Sequence, residues 1–309
     1  NARMRQRPMN DLLETLRDLG AYCYSVGGHP GLPIRVEACG LRGGAAGLAG
    51  DKTSQFLSAL LMVAPYAQQD VELTMTSPLA ATPYIDITTT MMAAFGARAE
   101  QDGYKRFWVR AGQRYQSRRY QIEPDASNAS YFFAAAALTG GRVRVANLTR
   151  ASIQGDIAFL DVLAQMGCHV ESGAGWTEVR GPEQLRGVDL DMSKLPDMAI
   201  TLAVLAPFAD RPTTIRNVAL IRHHETDRIA ALAAELGKLG VVLEERADGL
   251  TIYPGWQRAA ELDSHHDHRM AMGLAVAGLK IPGLRISGAE AVGKTFPDFF
   301  ERFAGLSSM

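Results

Sequence analysis

The chain has 309 residues and a mass of 33.4 kDa, more than one ordinary domain needs, so two lobes are expected. Hydrophobic residues make up 47% and charged residues 21%, which excludes a disordered chain. Lys+Arg number 32 against Asp+Glu 33, a net charge of -1, so no basic surplus exists for a nucleic-acid partner. The longest apolar stretches, residues 56–64 and 198–207, are too short or too interrupted to cross a bilayer, and no membrane partner is expected.

The chain opens in polar text, Asn1-Ala2-Arg3-Met4-Arg5, and runs at once into a helix, as the continuation of a longer polypeptide would. An amphipathic helix ends at Leu19-Gly20-Ala21, with Gly suited to the left-handed residue after a helix end, and a strand follows at 34–36. Thr53-Ser54-Gln55 then forms a polar loop that opens an apolar helix over 56–62. Phe95-Gly96-Ala97 repeats the helix ending, followed by a strand at 107–109. The polar connector at 114–119 suggests a boundary, giving an incomplete first lobe over 1–120 and a second over 121–309.

Beyond it, Asp125-Ala126-Ser127-Asn128 opens the next apolar helix, Met166-Gly167-Cys168 ends an amphipathic one, and residues 177–179 form a strand. Lys194-Leu195-Pro196-Asp197 opens a third apolar helix. The segment from Arg222 to Arg228 opens an amphipathic helix that carries Ile229, Leu232, Leu236 and Leu239 on one face and ends at Leu239-Gly240-Val241. A strand at 250–252, the loop Asp267-His268-Arg269 before a fourth apolar helix, and a weaker echo at Phe303-Ala304-Gly305 complete the pattern. Each unit reads as strand, buried helix, strand, amphipathic helix, strand, at a period of roughly seventy residues.

A helix N-terminus presents unpaired N–H groups and partial positive charge, so polar loops opening the apolar helices are potential anion sites. N-capping accounts for each loop singly, but it does not call for Arg269 or for the acid at Asp197. If the units ring common axes, those helix starts converge on one face of each lobe, and two facing lobes enclose a polar cleft. Glu225 and Arg228, three apart, would share a helical face. His265, His266 and His268 lack the supporting pairs of a zinc site, and no metal is expected. Cys23, Cys39 and Cys168 are an odd count at no metal spacing and read as small core residues of a reduced compartment.

In order along the chain, Ser54-Gln55-Phe56-Leu57-Ser58-Ala59-Leu60-Leu61-Met62, Pro83-Tyr84-Ile85-Asp86, Asp125-Ala126-Ser127, Gln154-Gly155-Asp156, Glu225-Thr226-Asp227-Arg228, Asp267-His268-Arg269-Met270-Ala271 and Lys294-Thr295-Phe296-Pro297-Asp298 resemble the 5-enolpyruvylshikimate-3-phosphate synthase family. The resemblance implies an α/β (α+β), two-lobed enolpyruvyl transferase fold of repeated βαβαββ units around buried helices, about two units in the first lobe and three in the second. It implies transfer of the enolpyruvyl group of phosphoenolpyruvate to the 5-hydroxyl of shikimate 3-phosphate, with release of phosphate, in chorismate and aromatic amino acid biosynthesis. It implies a cytoplasmic monomeric enzyme with no cofactor, lacking here the N-terminal part that a full family member has. A non-catalytic segment of such an enzyme, or a relative acting on a UDP-amino sugar, are the alternatives.

By position, Arg3, Gln55, Arg228, Arg269 and Lys294 match the phosphoenolpyruvate ligands. Thr53, Ser54, Gln55, Tyr84, Asp197 and His224 match the shikimate 3-phosphate contacts, and Asp197 and Glu225 the acid/base carboxylates. Anionic substrates require such a local set of cations in a neutral chain. The two carboxylates need pKa values raised by desolvation or tuned by the cations. His224 replaces a frequent Lys; opposite an anionic substrate it is expected to be protonated, with a neutral hydrogen-bonding imidazole as the alternative. Ala81 replaces a frequent Ser, Leu220 a frequent Asn, and Thr53 the first Ser of a triplet.

Overall fold

The computed structural model describes residues 2–255 and 257–308. The chain divides into two compact units, Asn1–Gln121 and Ile122–Met309.

Unit 1 begins with helices α1 (Ala2–Gln6) and α2 (Asn10–Asp18) and the antiparallel pair β1 (Tyr22–Ser25) and β2 (Ile34–Glu37). A complete βαβαββ repeat follows: β3 (Gly44–Leu48), α3 (Gln55–Val63), β4 (Val71–Met75), α4 (Pro83–Ala94), β5 (Ala99–Asp102) and β6 (Arg106–Val109). Its sheet order is β3-β4-β6-β5, with β3 and β4 parallel from Gly44↔Val71 to Leu48↔Met75. Parallel strands need a crossover, which α3 supplies, and this puts the starts of α3 and α4 beyond the C-terminal ends of neighbouring strands. Leu57, Leu60 and Leu61 of α3 pack with Leu48, Leu73, Ile85 and Phe107 into one core.

Unit 2 contains α5 (Ala126–Thr139), β7 (Arg142–Ala146), α6 (Phe159–Gln165), β8 (His169–Gly173) and β9 (Trp176–Arg180), with sheet order β7-β9-β8. A second complete repeat is β10 (Asp189–Asp191), α7 (Ala199–Leu205), β11 (Thr213–Arg216), α8 (Arg228–Lys238), β12 (Leu243–Arg246) and β13 (Gly249–Ile252). Its order, β10-β11-β13-β12, reproduces that of unit 1. The chain then forms β14 (Glu261–Asp263), α9 (His268–Ala277), β15 (Arg285–Ser287) and α10 (Phe299–Ala304), with β14 and β15 parallel. Helices α5, α7 and α9 pack on one another at the centre of the unit.

Gly20, Gly96, Gly167 and Gly240 all take positive φ, between 87° and 100°, so the four helix endings read from the sequence are left-handed turns. The fifth differs: Gly305 has φ -64° and continues into a 3-10 turn. Every residue of α7 is buried, as its all-round apolar sequence requires, but α3 departs from that expectation. Met62 and Val63 remain 48% and 46% exposed, because only one side of α3 meets the sheet and α4. Cys23 and Cys168 are buried, whereas Cys39 is exposed and is no core residue. Among the described residues no helix is long and apolar enough to cross a membrane.

Candidate active site

In unit 2, His224, Glu225 and Arg228 follow the C-terminal end of β11, Asp197 that of β10, Arg269 that of β14 and Lys294 that of β15. Parallel pairing of β10 with β11, and of β14 with β15, gathers those loops at the strand ends.

Arg228 is the centre of the resulting network and is only 1% exposed. Its Nε donates to Asp267 Oδ2 at 2.7 Å, and Nη2 donates to Asp267 Oδ1 at 3.2 Å and Glu225 Oε2 at 2.9 Å. Nη1 donates to Asp197 Oδ1 at 2.7 Å and meets His224 Nδ1 at 3.0 Å. Four of its five N–H donors thus go to carboxylates, and the fifth faces the His224 ring. A buried cation so satisfied stays charged: burial opposes its charge, but Asp267 and Asp197 outweigh burial and raise its pKa.

From Arg228 the network alternates in sign. Arg269 Nη2 lies 3.1 Å from Asp197 Oδ2, and Lys294 Nζ bonds Glu225 Oε1. The sequence Arg269–Asp197–Arg228–Glu225–Lys294 therefore runs cation, anion, cation, anion, cation, with Asp267 beneath its middle. Burial alone would raise the pKa of Asp197, but Arg269, the His224 hydrogen bond and Arg228 outweigh it and hold the carboxyl well below its usual range. Glu225 behaves likewise: burial is opposed by Arg228 and Lys294, and its pKa falls to about 2. Both carboxylates are thus ionised and held as weak bases: of the two alternatives, desolvation and tuning by the cations, the cations dominate.

His224 Nδ1 faces both Arg228 Nη1 at 3.0 Å and Asp197 Oδ1 at 3.5 Å. The helix boundary differs from the one read in the sequence. Residues 219–223 form a 3-10 turn, and α8 begins at Arg228 because Asp227 caps it, accepting from Ala230 N at 3.1 Å. Glu225 therefore reaches Arg228 from the preceding loop and not from a shared helical face. Arg222 braces that loop, bonding Asp227 at 2.9 and 3.0 Å and Glu245 at 2.8 Å.

Three neighbours have contacts that the sequence did not show. Asp267 is the cap that its loop suggested, accepting from Arg269 N at 2.8 Å, and it also holds Arg228. His268, 5% exposed, has its Nδ1 3.6 Å from Asp267 Oδ1, and burial pushes its pKa down to about 4. Tyr131 of α5 is wholly buried. Burial pushes its pKa up to about 12 against the pull of nearby Arg269 and Arg228. An apolar helix gives no sign in sequence that one tyrosine faces ions.

In unit 1, Thr53, Ser54 and Gln55 stand at the start of α3 and Tyr84 at the start of α4, beyond the ends of β3 and β4. Thr53 Oγ1 accepts from Gln55 N at 3.1 Å, Ser54 is buried, and the Gln55 side chain is exposed. Ser58 Oγ meets Thr88 Oγ1 at 2.8 Å and ties α3 to α4. Ala81, in the loop before α4, takes φ 51°. Arg3 falls in α1, but its side chain lies outside the described residues.

The family model for EPSP synthase (3-phosphoshikimate 1-carboxyvinyltransferase) matches residues 1–303. The chain is 52% identical over 301 residues to a 3-phosphoshikimate 1-carboxyvinyltransferase of Nostoc punctiforme, covering 97% of this chain and 71% of that protein. A protein of the same description from Shewanella pealeana is 44% identical over 307 residues, covering 99% and 72%. Among solved structures, EPSP synthase from Acinetobacter baumannii superposes with TM-score 0.79 at 26% identity over 97% of this chain and 71% of that one. The enolpyruvyl transferase NikO from Streptomyces tendae gives TM-score 0.78 at 20% identity, with the same coverages, a likeness of fold.

Proposed function

The chain belongs to the EPSP synthase family, and we propose that it transfers the enolpyruvyl group of phosphoenolpyruvate to the 5-hydroxyl of shikimate 3-phosphate, using the alternating ion network of unit 2. The observation that carries this reading is the pairing of each acid/base carboxylate with a cation that an incoming anion can claim. Arg269 holds Asp197, and Lys294 holds Glu225.

In this reading the phosphate and carboxylate of phosphoenolpyruvate bind Arg269 and Lys294, with Gln55 and Arg3 as further ligands. Arg228 already bonds Asp267, Asp197 and Glu225, so it joins by exchanging a protein acceptor for a substrate oxygen. Thr53, Ser54, Gln55, Tyr84, Asp197 and His224 hold shikimate 3-phosphate.

Substrate binding then does the pKa tuning. Each cation claimed by a substrate anion attracts its carboxylate less, while the bound substrate displaces water, and both effects raise the pKa. One carboxylate takes the proton of the attacking hydroxyl as its oxygen bonds C2, while an acidic group delivers a proton to C3. The tetrahedral adduct next loses a proton from C3 and its phosphate from C2, which restores the double bond. Atoms and charge balance without any further reagent. Asp197 and Glu225 fill these two proton-handling places.

The family reading also supports a monomeric, cytoplasmic enzyme, and the free cysteines Cys23, Cys39 and Cys168 suit a reducing compartment. The test is phosphorus NMR of the natural polypeptide with both substrates. Phosphate and an enol ether should appear in equal amounts, and neither forming would sink the proposal.

A further inference from the structure

Glu235, a buried carboxylate outside the ion network, grips the turn that delivers Asp267 and Arg269. It is 1% exposed on α8. Its Oε2 accepts from Asp263 N at 2.8 Å, its Oε1 meets His265 Nε2 at 2.9 Å, and Lys238 Nζ bonds both oxygens at 2.7 and 2.9 Å.

The turn it grips is an unusual one. Between β14 and α9 the consecutive residues His265 and His266 both take left-handed backbone, φ 53° and 54°. A side chain at Cβ disfavours that conformation, and glycine would adopt it freely. Histidine at 265 does what glycine cannot, because its ring reaches back to Glu235. Asp263 Oδ1 accepts from His265 N at 2.7 Å, and Ser264 Oγ donates to Gly288 O at 2.8 Å, so the turn is held from several sides.

Helix α8 thus holds this connector at two points. Its first residue, Arg228, holds Asp267, and Glu235, two turns later on the same side, holds Asp263 and His265. Asp267 in turn fixes the backbone of Arg269 through the cap at 2.8 Å.

We propose that Glu235 and His265 are positioning residues for phosphoenolpyruvate binding, holding the left-handed turn that aims Arg269. The proposal rests on Arg269 being a ligand of that substrate.

The experiment compares steady-state constants and thermal unfolding in the natural polypeptide for H265N, E235Q, the double variant and R269A. Asparagine tolerates left-handed backbone but is too short to reach Glu235. H265N and E235Q should each raise KM for phosphoenolpyruvate at least threefold and leave KM for shikimate 3-phosphate within twofold. The double variant should be no worse than the more affected single variant, since the pair acts as one. R269A should raise KM for phosphoenolpyruvate more than tenfold. If R269A does so while folded H265N keeps both constants within twofold, Glu235 and His265 are merely structural and the proposal is overturned. If R269A leaves that KM unchanged, the assignment of Arg269 fails and takes this proposal with it. H265N, at a half-exposed side chain, decides the matter even if E235Q does not fold.

Discussion

Arg228 meets Asp267 edge to edge, with Nε and Nη2 on the two carboxylate oxygens at 2.7 and 3.2 Å. Both side chains are hidden from solvent, at 1% and 0% exposure, so neither charge has water as an alternative partner. Removing one partner of a buried pair costs roughly 3–5 kcal/mol. Asp267→Ala should lose about that much stability in denaturant unfolding. Arg228→Lys should also be destabilising, because one ammonium cannot replace a two-pronged contact plus three further bonds. A loss below about 1 kcal/mol in both variants would mean that water enters to solvate the remaining charge.

His268 gives stability a defined pH dependence. Its folded pKa, about 4, lies below the unfolded value of 6.5, so the unfolded chain binds the proton more readily between those values. Stability should be full above about pH 6.5 and decline as pH falls toward 4. His268→Gln should flatten that part of the curve in urea midpoints measured across the range. An unchanged slope in the variant would assign the dependence to other groups.

Asp197→Asn and Glu225→Gln should lower turnover by roughly two to four orders of magnitude through loss of proton transfer. Asp197→Asn should keep most shikimate 3-phosphate affinity, because an amide still accepts a bond from a hydroxyl. Isothermal titration for binding and a phosphate-release assay for turnover separate the two effects. More than about a third of normal turnover in either variant would remove that residue from the proton-handling role.

The repeat was legible because helix and strand periodicities survive without tertiary information: the four glycines lie just past the ends of α2, α4, α6 and α8, and residues 34–36, 107–109, 177–179 and 250–252 lie within observed strands. Asp125 as a cap was equally legible, since it accepts from Ser127 N at 2.8 Å and Asn128 N at 3.2 Å within its own loop. What contacts do across the chain was not. The pull of Arg269 on Asp197 spans 72 residues, so the sequence left open whether burial or the cations set that pKa, and the contact decides for the cations.

The most direct measurement is a pair of saturation curves, one for each substrate, on Arg269→Ala and Lys294→Ala. Losing a charge-assisted contact to an anion costs about 1.5–3 kcal/mol, more than tenfold in affinity. The expected result is that half-saturation by phosphoenolpyruvate rises more than tenfold in each variant, with shikimate 3-phosphate little affected. Equal effects on both substrates, or none on phosphoenolpyruvate, would contradict the assignment of these cations to one substrate.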